Sequence, residues 1–155
     1  MKTKFILLAL LATTFFSACK KDKPEPADPL ANAHELLQNK NWKLVSIDAY
    51  PDFMGLTDVL SMWDDCDRDD IYRFNPNGAF LLDAGATRCH PDELQQETGV
   101  WSYSESSKML SFQLEPVGDY YALKLQYVDE ISLVGTETYS FDNVEYIFTW
   151  VFRKQ

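Results

Sequence analysis

Histidine, cysteine and basic residues are scarce in this chain of 155 residues. It holds 2 histidines, 3 cysteines and 14 lysines and arginines against 24 aspartates and glutamates, so its formal net charge is −10. Nucleic-acid binding requires a basic face, and this balance argues against it. The Gly-x-Ser-x-Gly, His-Glu-x-x-His and glycine-rich phosphate-loop patterns are also missing. The sequence therefore predicts no enzyme activity and no cofactor.

The chain also lacks an apolar run long enough to cross a bilayer, which takes about 20 residues. Its longest such run, over 5–12, follows a positive start at Lys2 and Lys4 and precedes the small residues Ser17 and Ala18. This order of features is typical of a secretory signal. We therefore expect residues 1–18 to be a cleaved signal peptide.

The residues before Cys19 resemble the lipobox of bacterial lipoproteins, in which this cysteine is acylated and becomes the first residue. Stable anchoring takes two or more acyl chains, and the resemblance implies three. Residues 19–28 are charged and contain proline, so they read as an extended tether to the membrane. No aspartate directly follows Cys19, so the usual signal for retention in the inner membrane is missing and we expect the outer membrane. The sequence does not decide between its periplasmic side and its surface-facing side.

With Cys19 lipidated, two cysteines remain in a chain exported to an oxidising compartment. We expect Cys66 and Cys89 to form a disulfide, which closes a loop of about 24 residues. The alternative is a zinc site of Cys66, Cys89 and His90, but zinc wants a fourth ligand and the other histidine is His34, far along the chain. The prediction is therefore a disulfide and no metal.

The chain that follows the tether, 29–155, has the length of one domain. Asp28 and Pro29 are typical of a helix start, and Leu30, Ala33 and Leu37 recur on one face of a helix that we expect to end near residue 40. From Trp42 onward the apolar residues alternate. The predicted strands are 42–49, 71–75, 79–83, 99–103, 109–114, 120–127, 131–139 and 144–152.

Short turns join most of these strands, which predicts an antiparallel meander. The clearest turn is Asn75-Pro76-Asn77-Gly78. One-sided strands of this kind bury their edges by closing into a barrel. We predict an all-β fold: an eight-stranded antiparallel up-and-down barrel, lipocalin-like, with a short N-terminal helix. Segment 51–63 is too apolar for a solvated loop and is expected to form a helical turn or an apolar flap.

Several motifs resemble, in their order and spacing, the lipocalin-like domain family of bacterial outer-membrane lipoproteins over residues 36–155. They are Asn41-Trp42-Lys43-Leu44, Asp65-Cys66, Phe74-Asn75-Pro76-Asn77-Gly78, Cys89, Gly99-Val100-Trp101-Ser102 and Phe152-Arg153-Lys154. The resemblance implies a small eight-stranded barrel. The glycine that precedes the first tryptophan by two positions in true lipocalins is absent here, so the resemblance does not specify a ligand.

An eight-stranded barrel is either filled by its own side chains or holds one small ligand. For the ligand case, we expect a modest apolar pocket at the end of the barrel that bears segment 51–63. The candidate lining residues are the aromatic side chains Trp42, Phe53, Trp63, Trp101, Phe148 and Trp150.

The acidic run 64–70 carries a second candidate site. Asp65, Asp67 and Asp69 have the alternate spacing of calcium ligands, but the glycine and the downstream glutamate of the familiar loop are missing. We favour a solvated acidic loop beside the disulfide and leave calcium as the alternative.

Two functions are compatible with this sequence. The first is a lipid-anchored envelope lipoprotein that binds a small hydrophobic ligand in its barrel. The second is a protein-interaction module, such as an inhibitor or an accessory subunit of an envelope complex, that docks its acidic face and the loop over 51–70 on a basic partner.

Overall fold

The computed structural model describes residues 28–116 and 118–155. The predicted signal peptide, the predicted lipidation site Cys19 and most of the predicted tether lie outside these residues. The described chain is all-β, a closed eight-stranded antiparallel barrel with one extra strand and one short helix. None of its helices is both apolar enough and long enough to span a membrane.

Each of the eight predicted strands is confirmed, most within one to three residues. In chain order, the elements are α1 (Ala33–Leu37), β1 (Asn41–Phe53), β2 (Leu56–Asp58), β3 (Ile71–Phe74), β4 (Ala79–Asp83), β5 (Gln96–Ser104), β6 (Met109–Leu114), β7 (Tyr120–Val128), β8 (Ser132–Phe141) and β9 (Val144–Lys154).

The barrel is a meander that closes on itself. From β3 to β8, each strand pairs with the one that follows it in the chain, and β3 also pairs with β1. Closure comes from β9, which runs antiparallel to β1 from Trp42 opposite Lys154 to Tyr50 opposite Ile147. The extra strand, β2, pairs only with β1, so it lies outside the closed ring. The predicted up-and-down barrel is confirmed.

Alternation places the aromatic side chains inside the ring. The largest fully buried side chains include Trp42, Phe74, Phe112 and Phe152, which come from four different strands. Burying a side chain of this size contributes about 1.5–3 kcal/mol. Burial of these side chains inside the ring therefore stabilises the barrel.

Tight turns set the register of the hairpins. Asn77 and Gly78 have φ values of 68° and 78° between β3 and β4, as the predicted turn requires. Asp142 and Asn143, with φ values of 51° and 60°, form a two-residue turn between β8 and β9. Positive φ at both central residues matches the right-handed twist of the strands, and asparagine tolerates it.

The N-terminal helix is shorter than predicted. Asp28 accepts a hydrogen bond from the Leu30 backbone N–H (2.9 Å) and begins a turn, as expected of a capping residue. Asn32 then adopts a left-handed conformation, so the helix begins only at Ala33, and it ends at Leu37. The predicted helix end near residue 40 is wrong, because Gln38 adopts an extended conformation and forms a β-bridge with Phe74.

Strand β7 departs from strict alternation near its end. The pattern predicts that Tyr127 shares the inner face with Leu123 and Leu125, but Tyr127 is exposed and Val128 is buried. The register shifts between Leu125 and Tyr127, and such a bulge moves the following side chains to the opposite face.

Segment 51–63 combines strand with one helical turn. Strand β1 continues to Phe53 and reverses at Met54 and Gly55 into β2. A single 3-10 turn then follows at Leu60–Met62. The expected helical turn is confirmed, but the first half of the segment is a hairpin. Alternating apolar residues predict either form over so short a stretch.

Candidate functional site

The two ends of the barrel interior differ. At the end next to α1 the interior is filled: the Trp42 indole N–H donates to the Leu37 carbonyl (3.0 Å), and the Trp101 indole N–H donates to the Asn75 carbonyl (2.8 Å). The His34 ring stacks on Trp101 from the helix, with centroids 5.4 Å apart. This end is therefore packed core.

Towards the other end the interior holds a cavity of about 470 Å³. This volume lies within the range of about 300–1,000 Å³ that is typical of small-molecule sites. The lining combines aromatic and aliphatic walls with four carboxyl groups. It consists of Met62, Trp63, Asp64, Asp67, Asp70, Tyr72, Phe80, Leu82, Phe112, Leu114, Asp119 and Tyr121.

The aromatic wall of the cavity is built by alternate residues of neighbouring strands. Tyr72 on β3, Phe80 on β4 and Phe112 on β6 meet with ring centroids 5.2–6.2 Å apart. Tyr121 on β7 stacks on Phe112 at 5.1 Å. Trp63 completes the wall from the loop that follows the 3-10 turn. These rings pack in edge-to-face and stacked arrangements, which are the favourable geometries for aromatic pairs.

The first part of the loop over 60–70 is packed against the barrel. Leu60 is buried in the core, and the Val59 N–H donates to the Ile47 carbonyl (2.8 Å). Trp63 packs edge-on against Trp150, with centroids 6.0 Å apart. The apolar residues of this segment therefore fasten the loop to the barrel, and the acidic residues that follow lie at the cavity.

The predicted disulfide is present and ties this loop to a second one. Cys66 and Cys89 are bonded, with their Cα atoms 5.2 Å apart. Beside the bridge, Asp69 accepts hydrogen bonds from the Ala86 N–H, the Thr87 N–H and the Thr87 hydroxyl at 2.9–3.1 Å. Gly85 is required next to these residues, because a Cβ there would lie 2.3 Å from the Asp69 carbonyl oxygen.

Two carboxyl groups of the cavity, those of Asp67 and Asp70, have raised pKa values. Burial raises the pKa of Asp70 from 3.8 to about 7, and the negative charges of Asp67, Glu93, Asp69 and Asp83 add to the effect. The pKa of Asp67 is also raised, first by burial and then by Asp64 and Glu93. Burial without an opposite charge is the common cause.

The two tyrosines of the wall have raised pKa values as well. Burial is the largest cause for both: it raises the pKa of Tyr121 to about 12 and that of Tyr72 further. Tyr72 is only 6% exposed, and its hydroxyl makes no hydrogen bond to a described residue. Asp119 accepts a long hydrogen bond from the Tyr121 hydroxyl, at 3.5 Å.

The acidic run does not bring three carboxylates to one point. Asp65 pairs with Arg68, Asp69 binds the backbone at Ala86 and Thr87, and Asp67 lines the cavity. Each side chain of the predicted calcium pattern therefore has a different neighbour. The 3-10 turn Asp67–Asp69 explains the divergence, since successive side chains point in different directions around it.

One group of three candidate metal ligands is close together within the described ranges: Cys66, Asp67 and Cys89. The two sulfurs are bonded to each other, so neither is the thiolate that binds zinc. The zinc alternative with His90 thus loses two of its three ligands to the disulfide.

The six aromatic residues proposed as pocket lining do not form one site. Trp63 lines the cavity and Trp150 lies directly behind it, in contact with Trp63 and Tyr121. Trp42 and Trp101 belong to the filled end. Phe53 and Phe148 pack together at 5.5 Å in an aromatic cluster, with Tyr139, Phe141 and Tyr146, on the parts of β1, β8 and β9 that run towards the turns.

Most of the cavity residues were not anticipated from the sequence. A signal was nevertheless present: Asp70-Ile71-Tyr72 and Asp119-Tyr120-Tyr121 repeat the pattern Asp-x-Tyr at the start of two strands. Because strand side chains alternate, this spacing puts the carboxyl and the aromatic ring on one face.

The sequence matches no protein-family model and no curated protein. The fold and the cavity therefore define the class by themselves: a closed eight-stranded antiparallel barrel with an aromatic cavity under an acidic rim.

Proposed function

We propose that this chain is a lipid-anchored lipoprotein of the cell envelope, related to the lipocalin-like family, that binds a small molecule inside its barrel and is not an enzyme. The observation that carries the binding proposal is the cavity of about 470 Å³ between Trp63, Tyr72 and Phe112, in a barrel whose other end is packed with side chains. Small-molecule sites are typically concave and mostly apolar, with a few placed polar groups.

The anchor is proposed from the sequence alone. A positive start, a short apolar run and two small residues precede Cys19. The test is the fractionation of the Cys19→Ala variant: it leaves the membrane fraction if Cys19 carries the lipid, and unchanged membrane association contradicts the proposal.

Filling the cavity tests the binding proposal. Leu114→Trp adds a large side chain at the cavity wall, and we expect it to weaken binding by about ten-fold or more, because overpacking removes the space that a ligand needs. Binding is measured by native mass spectrometry of the purified protein and by titration of a fluorescent fatty-acid analogue.

The matched control is Leu94→Trp, which makes the same change at an exposed side chain outside the cavity lining. It is expected to bind as the unmodified protein does. Equal binding by both variants contradicts a site inside the barrel.

A second candidate function, protein interaction, is favoured by the exposed apolar residues of the β1–β2 hairpin. Tyr50 is 77% exposed and Met54 68% exposed, beside the Phe53 aromatic cluster. If the acidic face docks on a basic envelope protein, capture of that protein falls strongly at high salt, because salt screens exposed charges. Capture that persists at high salt contradicts the acidic face as the binding surface.

A further inference from the structure

The cavity has a charge of one sign. Four of its lining residues are aspartates, and no lysine, arginine or histidine contributes to the lining among the described residues. The nearby Arg68 is paired with Asp65, which lies outside the lining. The described residues therefore supply no positive charge at this site.

The wall of the cavity also holds a hydroxyl group without a protein partner. The Tyr72 side chain is buried to 94%, lines the cavity, and makes no hydrogen bond to a described residue. Its hydroxyl is therefore available to a polar group of a ligand in the cavity. Asp70 lies two residues before it, on the same side of the chain.

The aromatic rings supply the remaining part of the chemistry. Tyr72, Phe112, Tyr121 and Trp63 present an electron-rich wall below the carboxyl groups. Aromatic faces attract organic cations, and the attraction is strongest where water is excluded. The carboxylates and the aromatic rings line the same cavity. Together they can bind an ammonium group that is attached to an apolar body.

We propose that the cavity selects organic cations: an ammonium group binds the carboxyl groups near Asp70, and an apolar body packs against the wall formed by Tyr72, Phe112 and Tyr121. This inference rests on the proposed function, because it names the ligand class of the same cavity. The first function predicted from the sequence has a small hydrophobic ligand, so a cationic ligand and a neutral one can be distinguished by experiment.

Other ligand classes fit the cavity less well. A neutral apolar molecule in the cavity would cover the carboxyl groups and the Tyr72 hydroxyl without pairing them, which is unfavourable. An anion is repelled by four aspartates. A bare divalent cation requires six to eight oxygen ligands, whereas Phe80, Leu82 and Leu114 offer none. The raised pKa values of Asp67 and Asp70 agree with a site that lacks its positive partner.

A ligand series with one aromatic body tests the charge preference. The probes are 2-phenylethylammonium, 2-phenylethanol and phenylacetate, titrated by calorimetry at low salt and about pH 8, where an alkylammonium remains protonated. We expect the ammonium to bind about ten-fold tighter than the alcohol, because it adds a charge-assisted hydrogen bond and a cation–π contact. Phenylacetate is expected not to bind.

Removing one carboxyl locates the ammonium. Asp70→Asn keeps the size of the side chain and removes its charge, so we expect about a ten-fold loss for 2-phenylethylammonium and less than about a two-fold change for the alcohol. The matched control is Asp48→Asn, which removes an exposed charge from β1 outside the lining and is expected to change neither affinity.

The affinity for the ammonium is also expected to rise with pH between about pH 6 and pH 8, as Asp70 loses its proton. The charges that act on the pKa of Asp70 are those of Asp67, Asp69, Asp83 and Glu93, and the Tyr72 hydroxyl interacts with it as well. The Asp70→Asn variant is expected to lose most of this dependence.

The outcomes separate the two proposals. If the alcohol binds as tightly as the ammonium and Leu114→Trp weakens both, the cavity is a ligand site but the charge inference is wrong. If none of the three probes binds at millimolar concentration, the charge inference is also wrong, while a neutral molecule retained in native mass spectrometry still supports the proposed function. Equal loss in the Asp70 and Asp48 variants contradicts the assignment to the cavity.

Discussion

Asp70 is a half-buried carboxyl group, and the charges that act on its pKa all belong to other carboxyl groups. It follows the 3-10 turn Asp67–Asp69 and directly precedes β3, so the backbone places it at the rim of the barrel. Its pKa is raised to about 7, mainly by burial, from an ordinary value of 3.8. The folded protein therefore holds a proton at Asp70 over a pH range in which the unfolded chain has already released it.

This difference makes the stability fall as the pH rises. Between about pH 4 and pH 7 the folded state binds more protons than the unfolded state, so ionisation of Asp70 destabilises the fold above that window. We expect Asp70→Asn to raise the free energy of unfolding by about 1–2 kcal/mol at pH 8, a value reduced for solvent screening of a half-exposed group. Below about pH 4 no difference is expected, because both residues are then neutral.

Urea denaturation of the two proteins at both pH values measures the effect, with Asp48→Asn as control. The same stabilisation at low and high pH would show that a change in packing, and not the charge of Asp70, is responsible.

At the scale of elements, the most informative unit is the pair of loops joined by Cys66 and Cys89. The bridge spans a sequence separation of 23 residues, across β3 and β4. It holds the acidic residues of 64–70 beside the second loop, where Asp69 binds Ala86 and Thr87. The rim of the cavity is therefore built by a covalent link and a set of backbone hydrogen bonds.

Removing the bridge is expected to destabilise the fold by about 2–4 kcal/mol, because a loop of this length gains conformational freedom mainly in the unfolded state. The comparison uses the double variant Cys66→Ser, Cys89→Ser in urea denaturation. The unmodified protein under reducing conditions provides the control and should lose a similar amount. A loss below about 0.5 kcal/mol in both would contradict a structural role for the bridge.

At the scale of the whole molecule, closure of the sheet determines stability. Strand β9 is paired on both sides, with β8 and with β1, whereas β2 has only β1 as a neighbour. Each half of the aromatic interior depends on this closure, because Trp150 and Phe152 reach the core from β9. A defect in β9 therefore affects both neighbouring strands, while a defect in β2 remains local.

A matched pair of proline variants tests this difference. Thr149→Pro places a proline in β9 between Asp48 and Thr136, and we expect a cost of about 3 kcal/mol or more, because proline cannot donate to the ladder in the middle of a sheet. Thr57→Pro makes the same substitution in β2 and is expected to cost less than about 1 kcal/mol. Thermal unfolding followed by circular dichroism measures both, and equal losses would contradict the separate role of β2.

Local patterns were sufficient to predict most of the fold. The alternation in 144–152 and the turns at 75–78 and 142–143 depend on residues that are adjacent in the chain, so they could be recognised without the structure. The length of α1 and the position of Tyr127 were wrong for a different reason. The left-handed conformation of Asn32 delays the start of the helix, and the bulge after Leu125 shifts the register of β7. Neither feature can be recognised from the amino-acid composition of its segment.

The sequence by itself determined the all-β class, the order of the eight barrel strands and the pairing of Cys66 with Cys89. Only the tertiary structure decided where the interior is filled and which residues surround the cavity. Asp70, Phe112 and Tyr121 are far apart along the chain and lie together because the sheet closes. Alternation and turns act between neighbouring residues, whereas a cavity is made by contacts between distant ones.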